Sequence, residues 1–157
     1  MVDFIARASY TLRPRPVRLD TRAADAQSGV VSRNLDVIRH GLAEVWSSQG
    51  RRFVTFETAE RGAPQDDRWV QYLDGELNVR WPLEEEPAPA LARRGVALPA
   101  GAFVSWHTAG TAVSANAVFA VGDAQLDDVA RFVDALFASV IAAGTDASLS
   151  YRVDDHG

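Results

Sequence analysis

The side chains best suited to chemistry are few and scattered. His40, His107 and His156 are the three histidines, and no two of them stand at the i, i+4 spacing with which a helix offers paired imidazoles to zinc. Cysteine is absent, which removes thiolate nucleophiles, thiolate metal sites and disulfides together. No G-x-S-x-G elbow presents a serine for acyl transfer, and neither the dinucleotide nor the P-loop glycine spacing occurs. Glu84-Glu85-Glu86 is an acidic run. Consecutive carboxylates do not readily converge on one ion, so its expected role is electrostatic, at the positive end of a short helix. The expectation is a chain with no catalytic residue, no metal and no cofactor.

The aromatic residues are the remaining candidates. Trp69, Trp81 and Trp106 fall on expected strands, and Phe132 and Phe137 add apolar surface to the last expected helix. Packing in the core or on the sheet is the ordinary use of such residues. Read functionally, these five form a partner-binding set. The rival reading is a small-molecule or enzyme pocket on the sheet near Trp81 and Trp106.

The elements that must position them are legible from periodicity. Asp74-Gly75 separates two short β-prone runs, the signal for a two-residue type I′ hairpin over 69–73 and 77–81. Leu77, Val79 and Trp81 share one face of the outgoing strand. Trp69, Gln71 and Leu73 share one face of the incoming strand, with Val70 and Tyr72 on the other. Leu35, Ile38, Leu42 and Val45 give a helical stripe within 33–49, widened by Trp46, with Ser32 or Asn34 as cap and Gly50 as stop. Strands are expected at 52–58, 103–107, 113–121 and 149–153, and a short helix over 88–94 begins at Pro87 and Pro89. The last helix, 125–143, carries Leu126, Val129, Val133, Leu136 and Val140 as one stripe and Phe132, Phe137 and Ile141 beside it. Asp123 is placed to cap it, and so broad an apolar surface needs cover on more than one side.

Residues 1–31 read as an N-terminal strand, arm and linker, with a strand within 2–13 and Arg7, Arg13, Arg15, Arg18 and Arg22 making the region basic. Residues 32–157 read as one α+β domain with an antiparallel sheet of five or more strands, in the order α-β-β-β-α-β-β-α. A chain of 157 residues buries roughly two-thirds of its unfolded surface. Its net charge of −5 argues against nucleic acid, whose phosphates call for a basic surface. The N-terminus lacks the layout of a signal peptide. No apolar run reaches the roughly 18 residues of a membrane span. The cytoplasm is the expected location, and the scarcity of lysine beside abundant Ala, Arg, Val and Asp suits a GC-rich bacterial genome.

This element order resembles the type III secretion chaperone-like superfamily, in particular its bacterial branch of sensory transduction regulators. The strand Phe53-Val-Thr-Phe56, the strand Trp69-Val-Gln-Tyr72 with its Asp74-Gly75 turn, and the short helix ending Arg94-Gly95-Val96 carry the likeness. So do the long C-terminal helix and Leu149-Ser-Tyr151. The resemblance implies a non-enzymatic, chaperone-like or regulatory module that binds another protein, with no catalytic residues to transfer. It also raises the expectation of a homodimer, for which the broad last helix and the open strand edges supply independent motives.

Overall fold

The Asp74-Gly75 turn sets the register from which the sheet grows. Both residues take positive φ, 43° and 83°, as a type I′ turn requires. β3 (Trp69–Leu73) therefore pairs antiparallel with β4 (Glu76–Trp81), with Val70 opposite Val79 and Tyr72 opposite Leu77. The computed structural model describes residues 8–10, 33–58, 68–108, 115–142 and 148–157. Around the hairpin lie β1 (Ala8–Tyr10), α1 (Arg33–Val45), β2 (Arg52–Thr58), α2 (Pro87–Arg93), β5 (Phe103–Thr108), β6 (Ala115–Ala120), α3 (Leu126–Leu136) and β7 (Leu149–Asp155). The class is α+β. The strands form one seven-stranded sheet in the order β1-β5-β6-β4-β3-β2-β7, with every neighbouring pair antiparallel. Of the strand expected within 2–13, Ala8–Tyr10 is described and pairs with β5. The rest of the basic arm lies outside the described residues.

Strand alternation divides the sheet into two faces. On one, Val54, Phe56, Val70, Tyr72, Leu77, Val79, Trp81, Val104, Ala117 and Phe119 are buried. α1 brings Ile38, Leu42 and Val45 to this core, and α3 brings Val129, Ala130, Phe132, Val133 and Leu136. The breadth of α3 follows from its having two neighbours. Phe132 meets Phe119 of β6 edge-on at 5.2 Å, while α1 packs alongside the same helix. Arg39 of α1 reaches Asp127 of α3 at 2.7 Å, joining the two helices at their solvent rim.

Both long helices end earlier than their periodicity suggests. α1 stops at Val45 rather than Gln49: Trp46 stacks on Tyr72 at 5.3 Å with rings 9° apart, and Gln49 and Gly50 both turn left-handed, at φ 53° and 75°. α3 gives way at Phe137 to a π-helical turn, Phe137–Ile141, closed by the Ala142 N–H on the Phe137 carbonyl at 2.8 Å. That turn keeps Phe137, Val140 and Ile141 buried. The capping details differ as well. Gln125, not Asp123, precedes α3, and it makes no side-chain cap bond. Asn34 accepts the Leu149 N–H at 3.1 Å, tying α1 to β7. Glu85 pairs with Arg93 and Arg94 at the far end of α2, so this carboxylate of the acidic run clamps the helix C-terminus.

Candidate functional site

The second face of the sheet is covered by no helix among the described residues. Register defines it row by row. Through the middle, from β7 to β5, run Arg152, Thr55, Gln71, Asn78, Val118 and Ser105, a nearly continuous line of hydroxyl and amide groups. The Gln71 amide donates to the Thr55 hydroxyl at 3.3 Å, fixing both side chains on this line. Trp69, opposite Glu57, lies on one side of it. On the other side lie Phe53, Leu73 and Phe103. Phe103 is 48% exposed, the one large hydrophobic side chain so open among the described residues. The face therefore alternates aromatic and aliphatic side chains with hydrogen-bonding groups.

The five candidate aromatic residues do not converge here. Trp69 is on this open face. Trp81 is on the opposite one, 2% exposed, with its ring 6.4 Å from Phe119 and its indole N–H donated to the Glu85 carbonyl at 2.8 Å. Phe132 and Phe137, at 3% and 2% exposure, are core residues. Trp81, Phe132 and Phe137 thus leave the contact set, because the chain's own packing consumes their surface. Trp106 shares the helix-covered face with Trp81 and is half-buried, and its indole N–H finds no acceptor among the described residues. Parity carries the separation of Trp69 from Trp81: a two-residue turn that pairs Val70 with Val79 forces the two rings to opposite sides.

A cleft of about 450 Å³ opens at the other end of β4 from Trp81, lined by Trp46, Tyr72, Asp74, Gly75, Gly122, Asp123, Ala124 and Gln125. The hairpin turn forms one wall. Its Gly75 carbonyl accepts the N–H groups of Val121 and Gly122 at 2.8 and 3.1 Å, which fastens the turn to the loop before α3. An added Cβ at Gly75 comes within 3.4 Å of the Gly122 Cα. Burial pushes the Tyr72 hydroxyl above its usual range, with Asp74 adding to the shift and a Gly75 backbone hydrogen bond opposing it. Sequence spacing gave no signal for this cleft, because its lining comes from the end of α1, the β3–β4 turn and the β6–α3 loop.

Groups suited to acid–base or metal chemistry stay apart. His40 bonds to the Asp36 carbonyl on the outside of α1, His156 meets the edge of Phe53 at 6.4 Å, and His107 lies on β5. Among the described residues no three His, Asp or Glu side chains cluster as metal ligands, and no helix is long and apolar enough to cross a membrane. Asp127 is held below the usual carboxylate range by hydrogen bonds from Arg131 and Arg39, a surface ion-pair effect. Comparison with protein-family models, curated proteins and solved structures finds no match to this chain.

Proposed function

We propose that the chain is a non-enzymatic protein-binding module, chaperone-like or regulatory, that receives a protein partner on the face of its sheet that no described helix covers. The observation that supports this reading most is the asymmetry of cover by helices. α1, α2 and α3 contribute to one core, while the opposite face carries the half-buried Phe53, Trp69, Leu73 and Val118 and the exposed Phe103 among Thr, Gln, Asn and Ser. Rigid strands hold these side chains in fixed rows, so little ordering is needed on binding. Interfaces of this kind concentrate affinity in a few aromatic anchors surrounded by polar contacts, and Trp69 and Phe103 are the anchors offered. The element order, which resembles that of the type III secretion chaperone-like superfamily, favours the same reading.

The test is enrichment of partners from the source cell by the wild-type chain, compared with Trp69→Asp/Leu73→Asp on the open face and Ala43→Glu on the exposed side of α1. The reading expects a bound protein that the double variant loses and the α1 variant keeps, with all three folded. Equal capture by wild type and double variant refutes it.

A second reading, small-molecule binding, is favoured by the cleft. Its stacked Trp46–Tyr72 pair and the carboxylates of Asp74 and Asp123 suit a cationic ligand. A panel of amines and guanidines that raises the melting temperature of the wild type but not of Trp46→Leu supports it. No shift for any member removes it.

A further inference from the structure

β7 is the outermost strand on its side of the sheet, and its ladder with β2 fixes which of its backbone groups point away. The His156 N–H donates to the Arg51 carbonyl at 2.7 Å, continuing the register in which Arg52 faces Asp155. In an antiparallel ladder such bonded pairs alternate. Ser150, Arg152 and Asp154 therefore turn their backbone groups to β2, and Leu149, Tyr151, Val153 and Asp155 turn theirs outward. The outward Leu149 N–H is already taken by the Asn34 side chain at 3.1 Å. Tyr151, Val153 and Asp155 remain, an open hydrogen-bonding edge with no strand beside it among the described residues.

We propose that this edge is a self-association site, at which two copies of the chain pair antiparallel about Val153 into one continuous sheet. Backbone availability and charge together select that register, an axis through Asp154 being disfavoured by the two like carboxylates it sets face to face. A two-fold axis through Val153 joins Val153 to Val153 of the partner subunit and Tyr151 to Asp155 of the partner subunit, using only backbone groups that are unengaged. Axes through Tyr151 or Arg152 instead require the Leu149 N–H that Asn34 occupies. The charges agree. Within one chain Arg152 reaches Asp154 at 3.2 Å and Glu57 at 3.9 Å, all on the exposed rim; about Val153, each Arg152 also faces Asp154 of the partner subunit, adding two complementary cross-strand pairs. About Arg152, the two guanidinium groups face each other, and about Tyr151, each arginine faces only a serine. The alternating Arg152 and Asp154 thus guard the edge against other pairings, as charged edge strands do, while admitting this one. Because the axis is normal to the sheet, the helices of both copies lie on one side and both opposite sheet faces on the other. The proposal stands whether or not that face binds a partner.

The absence of cysteine gives a clean test. In the proposed register the paired Val153 Cα atoms lie about 5.5 Å apart, inside the window of about 4.4–6.8 Å that a disulfide spans. Val153→Cys is expected to form a disulfide-linked dimer under mild oxidation, and Arg152→Cys and Tyr151→Cys to stay monomeric. Sedimentation without oxidation is expected to show a mass that rises with concentration from 17.0 kDa towards twice that value. Arg152→Asp and Asp154→Arg each weaken association by about tenfold, from the reversal of two cross-strand pairs, and the Arg152→Asp/Asp154→Arg double variant restores it. A mass fixed at 17.0 kDa across micromolar concentrations, cross-linking through residue 151 or 152 in place of 153, or a double variant no better than the singles overturns the proposal.

Discussion

Gly41 lies in the middle of α1, on the side that faces the sheet, and its replacement by alanine sets two effects of known sign against each other. In a helix interior, Gly→Ala ordinarily stabilises by about 1 kcal/mol, because alanine loses less backbone freedom on folding. Here the new Cβ would stand 2.7 Å from Cε1 and 3.0 Å from Cζ of Phe56, and 3.0 Å from Cγ of Tyr151. Carbon atoms pack at about 3.5–4.0 Å, so the Phe56 ring must move by a sizeable fraction of an ångström. Phe56 is fully buried and tilted against Tyr151 at 6.2 Å, so it has little room to yield. Overpacking of this kind costs about 1–3 kcal/mol, and the net expectation is a loss of about 1–2 kcal/mol. Urea unfolding followed by tryptophan fluorescence measures it. Ala43→Gly, at an exposed position of the same helix, serves as the propensity control and should lose about 1 kcal/mol. In a double-mutant cycle, Phe56→Leu should make Gly41→Ala less harmful than it is in the wild type. A Gly41→Ala protein as stable as the wild type, or more stable, would refute the packing of α1 on β2 and β7.

Three further outcomes follow from the same packing and charge arguments. Leu136→Ala, at a fully buried position of α3, should cost about 2–5 kcal/mol in chemical denaturation; a change below about 0.5 kcal/mol would place Leu136 outside the core. Gly75→Ala should destabilise by about 1–2 kcal/mol, because its φ of 83° disfavours any side chain, and a melting temperature equal to wild type would contradict the turn. Asp127 has its pKa lowered below 3.8 by Arg131 and Arg39, so its contribution to stability is present above about pH 4 and is lost as pH falls through the lowered folded value. The stability difference between wild type and Asp127→Asn should therefore be flat from neutral pH down to about pH 5 and shrink below pH 4. A difference that grows on acidification would mean that the ion pairs do not form.

Much of the fold was legible because its signals are local. The Asp74-Gly75 turn, the parity of Trp69, Gln71 and Leu73 against Val70 and Tyr72, and the stripes on α1 and α3 each depend on neighbours a few residues away. Element order and class follow from them. Helix ends were less legible. Trp46 leaves α1 to stack on Tyr72 of β3, and the π turn at Phe137 is a tertiary adjustment with no local marker. Of the five candidate aromatic residues, the hairpin parity already held the information that separates Trp69 from Trp81. The burial of Phe132 was not readable, because it depends on Phe119 across the core. The polar row of Thr55, Gln71, Asn78 and Ser105 becomes visible only when strand order places β6 between β4 and β5, an arrangement that chain order does not reveal.

The central claim is that the sheet face opposite the helices takes a protein partner, and site-specific photo-crosslinking tests it most directly. A photoreactive phenylalanine analogue at position 69, on the open face, is compared with the same group at position 43, on the exposed side of α1, in full-length protein produced in its source cell. The account predicts a covalent adduct with one defined protein from position 69 and none from position 43. An adduct from position 43 alone, or none from position 69, would contradict it.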